Sequence, residues 1–331
     1  MSRYPPFPDS NSFLKLKDQV VVIVGGASGI GAALVTILYR QGALVVFGDI
    51  NQDVGETLVK TLHSERRIQA TASVERNGDD LTFLCCDVCK YSDLYMLFRT
   101  AWDKHGCIAH AVFCAGIVDS PTSSYFDGNL TIDSVAKDSG NTRTLDVNFL
   151  ATCTFARIAL PFLRCRGKTT TANERVRDDR SLTFISSVTG FRDAPGMFLY
   201  QTSKQAILGL MRAMRGIIFA RDGIRVNAMC PGMTESPMTI AGGLIELFKN
   251  RTPEAQAEAP SHYQSSMAVA EHIAAIMLLE GLNGKSIYVE EGKGWDFEDG
   301  LTREMPRWLG EEPTRWSKEN LEFLAASFGG S

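Results

Sequence analysis

The fold of this chain is constrained most by a regular alternation of short apolar runs and longer segments with helical spacing. Valine-rich and other apolar runs predict seven buried strands at Gln19–Val24, Ala43–Gly48, Leu81–Cys85, Ala109–Phe113, Leu182–Ile185, Arg225–Met229 and Ser286–Val289. Helical periodicity falls between them at Gly29–Gln41, Val54–His63, Thr144–Leu163, Tyr200–Ala220 and Ala268–Leu279. Because continuous apolar strands that alternate with helices are typical of a covered parallel sheet, we predict an α/β fold: a doubly wound parallel sheet of seven strands in a single domain.

Composition excludes several classes of protein. Apolar residues make up 44% of the 331 residues and charged residues 22%, which is ordinary for a globular chain and argues against disorder. Lysine and arginine (34) are outnumbered by aspartate and glutamate (38), so we expect no nucleic-acid partner. No uninterrupted apolar run approaches the roughly 18 residues of a membrane span, so we expect no membrane-spanning segment.

The cysteines and histidines indicate a reduced compartment and no metal site. Several of the eight cysteines lie in apolar, strand-like runs, where cysteine is usually a small buried hydrophobe. Cys86 and Cys89 form a C-x-x-C pair, but no second pair follows at zinc-finger spacing. The five histidines are scattered, and the polar N-terminus lacks the pattern of a secretory signal. These features favour a cytoplasmic protein.

We expect the chain to have three parts. Residues 1–18 form an N-terminal arm, residues 19–292 the α/β domain, and residues 293–331 a C-terminal extension. Two polar stretches within the domain, Thr71–Asp80 and Arg166–Arg180, predict solvated surface insertions. The extension carries three tryptophans, which are costly to leave in water, so it is expected to pack on the body or on a partner subunit.

A glycine-rich turn joins the first predicted strand to the first predicted helix. It reads Val24-Gly25-Gly26-Ala27-Ser28-Gly29-Ile30-Gly31. Glycines let the backbone approach a pyrophosphate closely, and the helix that opens there directs free N–H groups and the positive end of its dipole at the anion. The turn therefore predicts a dinucleotide phosphate site made by Gly25, Ser28, Gly29, Ile30 and Gly31.

Asp49 ends the second predicted strand, 18 residues after Gly31. That offset is close to the roughly 20 residues expected for an acid that binds the adenosine ribose. Its carboxylate would accept hydrogen bonds from the ribose hydroxyls and repel a 2′-phosphate. The next residue, Ile50, supplies no positive charge, so the sequence predicts NAD rather than NADP as cofactor.

Tyr200 and Lys204 are four residues apart at the start of a long predicted helix, which places them on one helix face. A fixed cation near a phenol favours the phenolate, and we expect the pKa of Tyr200 to fall below its usual value. The pair therefore predicts a general acid–base group.

Further motifs follow in a fixed order along the chain. Asn148 lies in Leu-Asp-Val-Asn on the predicted helix Thr144–Leu163, and Ser187 precedes Tyr200 by 13 positions. Short turns also follow the third, fourth and sixth predicted strands. The first turn contains Asp87 and Val88, the second contains Cys114, Ala115 and Gly116, and the third contains Pro231, Gly232, Met233 and Thr234.

Taken together, these motifs make the chain resemble a short-chain dehydrogenase/reductase of the core type with a C-terminal extension, similar to fungal members of secondary metabolism. The resemblance covers roughly Leu16–Gly292 and implies a Rossmann fold. Val24 replaces the usual threonine of the glycine loop, and Cys114 replaces an asparagine. The resemblance adds the residues of the three turns named above to the cofactor site, together with Tyr200 and Lys204.

The resemblance also implies a mechanism. Ser187 and Tyr200 would bind the reacting oxygen, and Tyr200 would exchange its proton during hydride transfer. Lys204 would hold the nicotinamide ribose, and Asn148 would position a water that relays the proton. The family usually forms homodimers or homotetramers through its long helices.

The loop over residues 233–265 corresponds to the family's substrate loop. Its first part is apolar, and we expect Met238 and Leu244 to contact the substrate together with Ser187 and Tyr200. An apolar lid favours a small-molecule substrate that is itself apolar: a bulky secondary alcohol or ketone, such as a terpenoid, steroid or polyketide.

Two other functions stay open at this point. The scaffold also serves isomerases or cyclases that need no net oxidation, and redox-inactive dinucleotide-binding regulators. Regulators usually lose the tyrosine or the lysine, whereas this chain has both.

Overall fold

The computed structural model describes residues 2–3, 12–69, 80–119, 125–126, 128–165, 179–258 and 260–328. Most of both predicted surface insertions, residues 71–79 and 166–178, lies outside the described residues. Asp80, at the end of the first insertion, is buried rather than solvated and pairs with Arg66.

Eleven strands are present among the described residues: β1 Ser2–Arg3, β2 Val20–Val24, β3 Leu44–Asp49, β4 Leu81–Cys85, β5 His110–Phe113, β6 Arg180–Ile185, β7 Ile224–Pro231, β8 Thr234–Glu235, β9 Gln264–Ser265, β10 Ser286–Glu290 and β11 Lys293–Asp296. Seven of them form a parallel sheet in the order β4-β3-β2-β5-β6-β7-β10. The prediction of a seven-stranded, doubly wound parallel sheet is confirmed for this part of the sheet.

The helices among the described residues are α1 Gly29–Arg40, α2 Gln52–Gln69, α3 Tyr91–His105, α4 Ile132–Val135, α5 Arg143–Leu145, α6 Ala151–Arg164, α7 Phe198–Asp222, α8 Pro237–Ala241, α9 Leu244–Lys249, α10 Pro253–Glu258, α11 Ser266–Leu278, α12 Glu298–Leu309 and α13 Glu311–Phe328. A π-helical segment, Asp146–Leu150, joins α5 to α6. Short 3-10 helices cover Ser12–Leu16 and Val188–Gly190.

Helices cover both faces of the sheet, which explains why its strands are apolar on both sides. Alternate residues of β2 face opposite cores: Val20 and Val22 pack with α3, α6 and α7, whereas Val21 and Ile23 pack with α1 and α11. The long helix over Arg143–Arg164 is apolar and long enough to cross a membrane, but its inward residues, such as Phe155, belong to the first of these cores.

The sheet is wider than predicted, because β11, which directly follows β10, and β1, near the N-terminus, add antiparallel strands at one edge. β11 pairs with β10, placing Trp295 opposite Tyr288, and β1 pairs with β11. Alternation of apolar runs could not reveal these strands, since β1 has two residues and β11 reads Lys-Gly-Trp-Asp. The sheet therefore continues past residue 292, where we expected the domain to end.

The C-terminal extension packs on the body through its first part. Glu298, at the start of α12, is buried and accepts hydrogen bonds from Arg212 and Arg215 of α7 and from Ser286 of β10. The expected packing on the body is therefore confirmed for this part. Farther along, Trp308 is 63% exposed and Trp316 51% exposed.

Candidate active site

A cleft of about 240 Å³ opens at the carboxyl ends of β2, β3, β4 and β5. The strand order reverses between β2 and β5, which is where open α/β sheets bind their ligands. Twelve residues that the sequence assigned to the cofactor line it: Gly25, Ser28, Gly29, Ile30, Gly31, Asp49, Ile50, Asp87, Val88, Cys114, Ala115 and Gly116. The folding of the sheet thus brings four separate segments of the chain to one site.

The glycine loop has a conformation that side chains would prevent. Gly25 has φ +74°, and a Cβ at Gly31 would lie 1.9 Å from the carbonyl oxygen of Gly25. Ser28 occupies the N-cap of α1 but makes no side-chain capping bond, and the first turn has no acidic residue. The first-turn N–H groups have no partners within the helix, so the loop fits the pyrophosphate of a dinucleotide.

The Asp49 carboxylate is held in place at the end of β3. Its Oδ2 accepts from the Ala27 N–H at 3.0 Å, and its Oδ1 accepts from the Asn51 N–H at 3.0 Å. Each oxygen keeps a second acceptor position. Asp49 and Ile50 both line the cleft, so this carboxylate can face an adenosine ribose bound there.

Tyr200, Ser187 and Lys204 come together beside α7. Lys204 Nζ lies 5.5 Å from the centroid of the Tyr200 ring, and the Ser187 hydroxyl is near enough to the phenol to lower its pKa against the effect of burial. Lys204 Nζ donates to the Ile185 carbonyl at 3.0 Å, which fixes α7 against the end of β6. The arrangement places a phenol, a hydroxyl and a buried amine within one small volume.

Burial dominates the titration of these groups. It raises the pKa of Tyr200, and the Ser187 hydrogen bond acts in the opposite direction. Burial also lowers the pKa of Lys204 to about 8. The sequence predicted a lowered pKa for Tyr200; the structure differs because the phenol is fully enclosed by protein, and desolvation penalises the phenolate.

Asn148 lies in the π-helical segment, completely buried. Its side-chain amide accepts from the Ile117 N–H at 2.8 Å and donates to the Ile117 carbonyl at 2.9 Å and to Ser203 Oγ at 3.0 Å. The amide therefore ties the loop after β5 to α7. Its backbone carbonyl accepts from Thr152 Oγ1 at 2.6 Å. The water-positioning role suggested by the resemblance remains a prediction.

The turn after β7 is arranged differently from what we expected. Pro231 is buried in β7, and Gly232 packs against the Glu290 carboxylate. The Met233 carbonyl accepts from the Gln264 N–H, and Thr234 is buried with its hydroxyl donating to the Gly232 carbonyl. These four residues are not among those that line the cleft, in the part of the chain that the structure describes.

Ser236, two residues beyond Thr234, lines the cleft instead. It caps α8 together with Thr239, and its Cβ lies 3.3 Å from the position that a Cβ of Gly29 would take. The sequence carries a signal for this position: Ser-Pro-Met-Thr is a helix start, and a capping serine projects at the end of a loop.

The two residues expected to contact the substrate differ in position. Met238 lines the cleft, whereas Leu244 begins α9, is half-buried, and is not among the described residues that line it. Sequence reasoning also missed other residues of the lining: Cys86, Ile117, Arg143, Val147 and Pro237. The residue type alone assigns none of them to a cofactor site, and only the folded position of α5 brings Arg143 to the cleft.

Cys114, which replaces the asparagine of the family pattern, is half-buried and lines the cleft. Burial raises its pKa to about 12, so the side chain stays protonated and acts as a packed small residue. Its N–H donates to the Val24 carbonyl at 2.9 Å, which continues the pairing of β5 with β2. The local support of these strands comes from the backbone.

Sequence comparison agrees with this geometry. Residues 19–242 match the family model described as short chain dehydrogenase. The short-chain dehydrogenase/reductase prx4 of Penicillium roqueforti is 30% identical over 235 residues, which are 70% of this chain and 60% of that protein. The match therefore spans less than two thirds of that relative's length. The (+)-borneol dehydrogenase 1 of Salvia officinalis is 31% identical over 66% of this chain and 70% of its own.

A second fungal relative and a solved structure extend the comparison. The short-chain dehydrogenase/reductase ascJ of Acremonium egyptiacum is 28% identical over 86% of this chain and 83% of its own. The crystal structure of a 3-ketoacyl-(acyl-carrier-protein) reductase from Brucella melitensis, complexed with NADH, has a TM-score of 0.63 at 20% identity and covers 84% of this chain and 98% of its own. This likeness shows the fold. Sequence, fold and site together establish that the chain belongs to the short-chain dehydrogenases/reductases, a family of Rossmann-fold oxidoreductases that bind a nicotinamide dinucleotide.

Proposed function

We propose that this chain is an NAD-dependent oxidoreductase that interconverts a secondary alcohol and a ketone on a bulky apolar substrate. The observation that carries the proposal is the buried Tyr200 phenol, which lies beside both Lys204 and the Ser187 hydroxyl. These groups together can transfer one proton to or from an oxygen atom of the substrate. Bound NAD would supply the hydride chemistry.

The residues of the chain would handle the oxygen and its proton. Ser187 and Tyr200 would both hydrogen-bond the reacting oxygen, and Tyr200 would take the alcohol proton as the carbon loses hydride. In the reverse direction Tyr200 would return the proton, and Ser187 would stabilise developing negative charge on the oxygen. Lys204 in its charged form would favour the phenolate, offsetting the burial that raises the pKa of Tyr200.

The preference for NAD rests on Asp49. Its carboxylate is fixed by the Ala27 and Asn51 N–H groups, so it cannot easily turn away from a 2′-phosphate. Arg143 also lines the cleft, where it begins α5 and lies near enough to Cys89, in the turn after β4, to lower the pKa of that thiol against the effect of burial. We therefore assign it to the adenine side.

Calorimetric titration tests the cofactor preference. We expect NAD to bind at least about tenfold tighter than NADP, a difference of about 1.4 kcal/mol. The double variant Asp49→Ala with Ile50→Arg should weaken or reverse this preference, because it removes the repulsion and adds a cation. Equal affinities for NAD and NADP in the unmodified protein would overturn the assignment.

The apolar substrate is suggested by Met238, which lines the cleft, and by the neighbouring apolar side chains of α8 and α9. Relatives named for borneol and 3β-hydroxysteroid dehydrogenation support the same class. With NAD as cofactor, kcat/KM should rise from 2-propanol through cyclohexanol to borneol and a 3β-hydroxysteroid. A steady fall with apolar bulk would contradict the proposed substrate class.

We further propose a homodimer or homotetramer in the cytoplasm. Helix α7 and the helix over Arg143–Arg164 carry exposed apolar side chains such as Leu150, Ile217 and Phe219, which suit a subunit interface. All eight cysteines are unpaired, which suits a reducing compartment. Light scattering that gives the mass of a single chain at micromolar concentration would contradict the assembly.

A further inference from the structure

The helix that carries Tyr200 lacks a cap of its own. Helix α7 begins at Phe198, so Tyr200 lies in the first turn, where backbone N–H groups have no partner within the helix. The N-cap residue, Met197, makes no side-chain hydrogen bond, and the first turn contains no acidic residue. The start of this helix must therefore be satisfied from elsewhere in the chain.

Asp119 supplies the missing cap from about 80 positions upstream. Its Oδ2 accepts hydrogen bonds from the N–H groups of both Leu199 and Tyr200, each at 3.0 Å. Aspartate is among the preferred capping residues, and a carboxylate at the positive end of a helix dipole is stabilising. The cap is thus attached to the catalytic residue's own backbone nitrogen.

Asp119 belongs to a short segment that contacts the rest of the catalytic centre. Ile117, two residues earlier, makes both backbone hydrogen bonds with the Asn148 amide. A Cβ placed on Gly116 would lie 3.5 Å from both Asn148 Oδ1 and Lys204 Nζ. One loop leaving β5 therefore contacts Asn148, Lys204 and the start of α7.

We propose that Asp119 is a positioning residue for Tyr200: its carboxylate fixes the first turn of α7 and thereby the place of the phenol relative to the cleft. This inference rests on the proposed function of Tyr200 as the acid–base group. The Ser187 hydroxyl lies near the other end of the same side chain, where it acts on the phenol. With the backbone released at one end, the ring can shift, and a displacement of about 1 Å at a reacting group can cost about 100-fold in rate.

Three variants separate this role from general stabilisation. Asp119→Ala removes the acceptor, whereas Asp119→Asn keeps an oxygen of the same reach, and asparagine caps helices about as well as aspartate. Asp193→Ala is the matched control, because Asp193 is an exposed carboxylate on the segment that precedes α7. Hydrogen exchange at the Leu199 and Tyr200 amides reports the cap directly, without substrate or cofactor.

We expect Asp119→Ala to lose protection at these two amides and to lower kcat for borneol oxidation at least about tenfold, while the Kd for NAD stays within about twofold. Asp119→Asn should restore protection and return kcat to within about threefold of the unmodified protein. Asp193→Ala should match the unmodified protein in every measurement.

Two results would overturn the proposal. One is unchanged protection at Leu199 and Tyr200 in Asp119→Ala; the other is an Asp119→Asn protein that is as slow as Asp119→Ala although its amides are protected. If the unmodified protein oxidises no alcohol in the panel, the proposed function fails, and the exchange measurement still decides whether Asp119 caps the helix.

Discussion

The cofactor cleft and the catalytic centre adjoin each other, yet they are built in different ways. The cleft is made by loops that directly follow β2, β3, β4 and β5, and its most demanding part is the seven-residue stretch Gly25–Gly31. In the catalytic centre, hydrogen bonds join residues that are distant in the chain: the Asn148 amide binds Ile117, 31 residues away, and the Tyr200 backbone N–H donates to the Asp119 carboxylate, 81 residues away. The glycine loop of the cleft depends on local backbone conformation, whereas Asn148 and the start of α7 depend on long-range hydrogen bonds.

This comparison predicts that single substitutions in the two regions damage different steps. Tyr200→Phe keeps the ring and its packing but removes the group that exchanges a proton. We expect turnover to fall by about 10²–10⁴-fold, the usual scale for general acid–base catalysis, while the Kd for NAD stays within about twofold. Steady-state kinetics with borneol, together with calorimetry, measure both quantities. Near-normal turnover would mean that another residue performs the chemistry.

In the cleft, Gly31→Ala should damage binding first. The added Cβ would lie 1.9 Å from the Gly25 carbonyl oxygen, so the phosphate loop must change shape. We expect affinity for NAD to fall about 100-fold, or about 2.7 kcal/mol. Gly216→Ala in α7 is the matched control, because a Cβ there meets nothing within 4 Å; it should bind NAD normally and gain about 0.5–1 kcal/mol of helix stability. Equal NAD affinity in both variants would contradict the steric account.

Long-range contacts should also control stability around the catalytic helix. Glu298→Ala removes the buried partner of Arg212 and Arg215, whose side chains are 37% and 33% exposed. We expect the free energy of unfolding to fall by about 2–3 kcal/mol, below the full cost of breaking a buried ion pair because the arginines remain partly hydrated.

Glu304→Ala in the same helix serves as the control for this experiment. Glu304 pairs with Arg303 and Arg307 at the surface, where solvent screens the pairs, so its loss should leave the midpoint of urea unfolding essentially unchanged. If the two variants unfold at the same urea concentration, Glu298 does not anchor the extension to α7.

The same difference explains how much the sequence could predict. The seven parallel strands and the residues of the glycine loop were predictable, because their signals are apolar periodicity and turn chemistry within a few residues. Asp119 could not be found in this way, since its partners are 80 and 81 residues distant and an aspartate in a loop has no signal of its own.

Two further differences have physical causes of the same kind. Edge strand β1 forms because the N-terminal segment meets β11, which no local pattern indicates, whereas β11 folds back on β10 through the two-residue turn Glu291-Gly292. Ser236 rather than Thr234 lines the cleft because the pairing of β8 with β9 buries Thr234 and uses its hydroxyl. Motif matching gave the right segment, and tertiary pairing decided which hydroxyl-bearing residue in it lines the cleft.

The most direct test of the account follows a labelled hydrogen. Borneol carrying deuterium on its carbinol carbon is incubated with the protein and NAD, and the ketone and the reduced cofactor are analysed by mass spectrometry. We predict one deuterium in the reduced cofactor for each ketone formed, with the hydroxyl proton released through Tyr200, and no ketone from the Tyr200→Phe protein above about 1% of the unmodified rate. Conversion of the alcohol without deuterium in the cofactor would contradict hydride transfer and favour a non-redox reaction on the same scaffold.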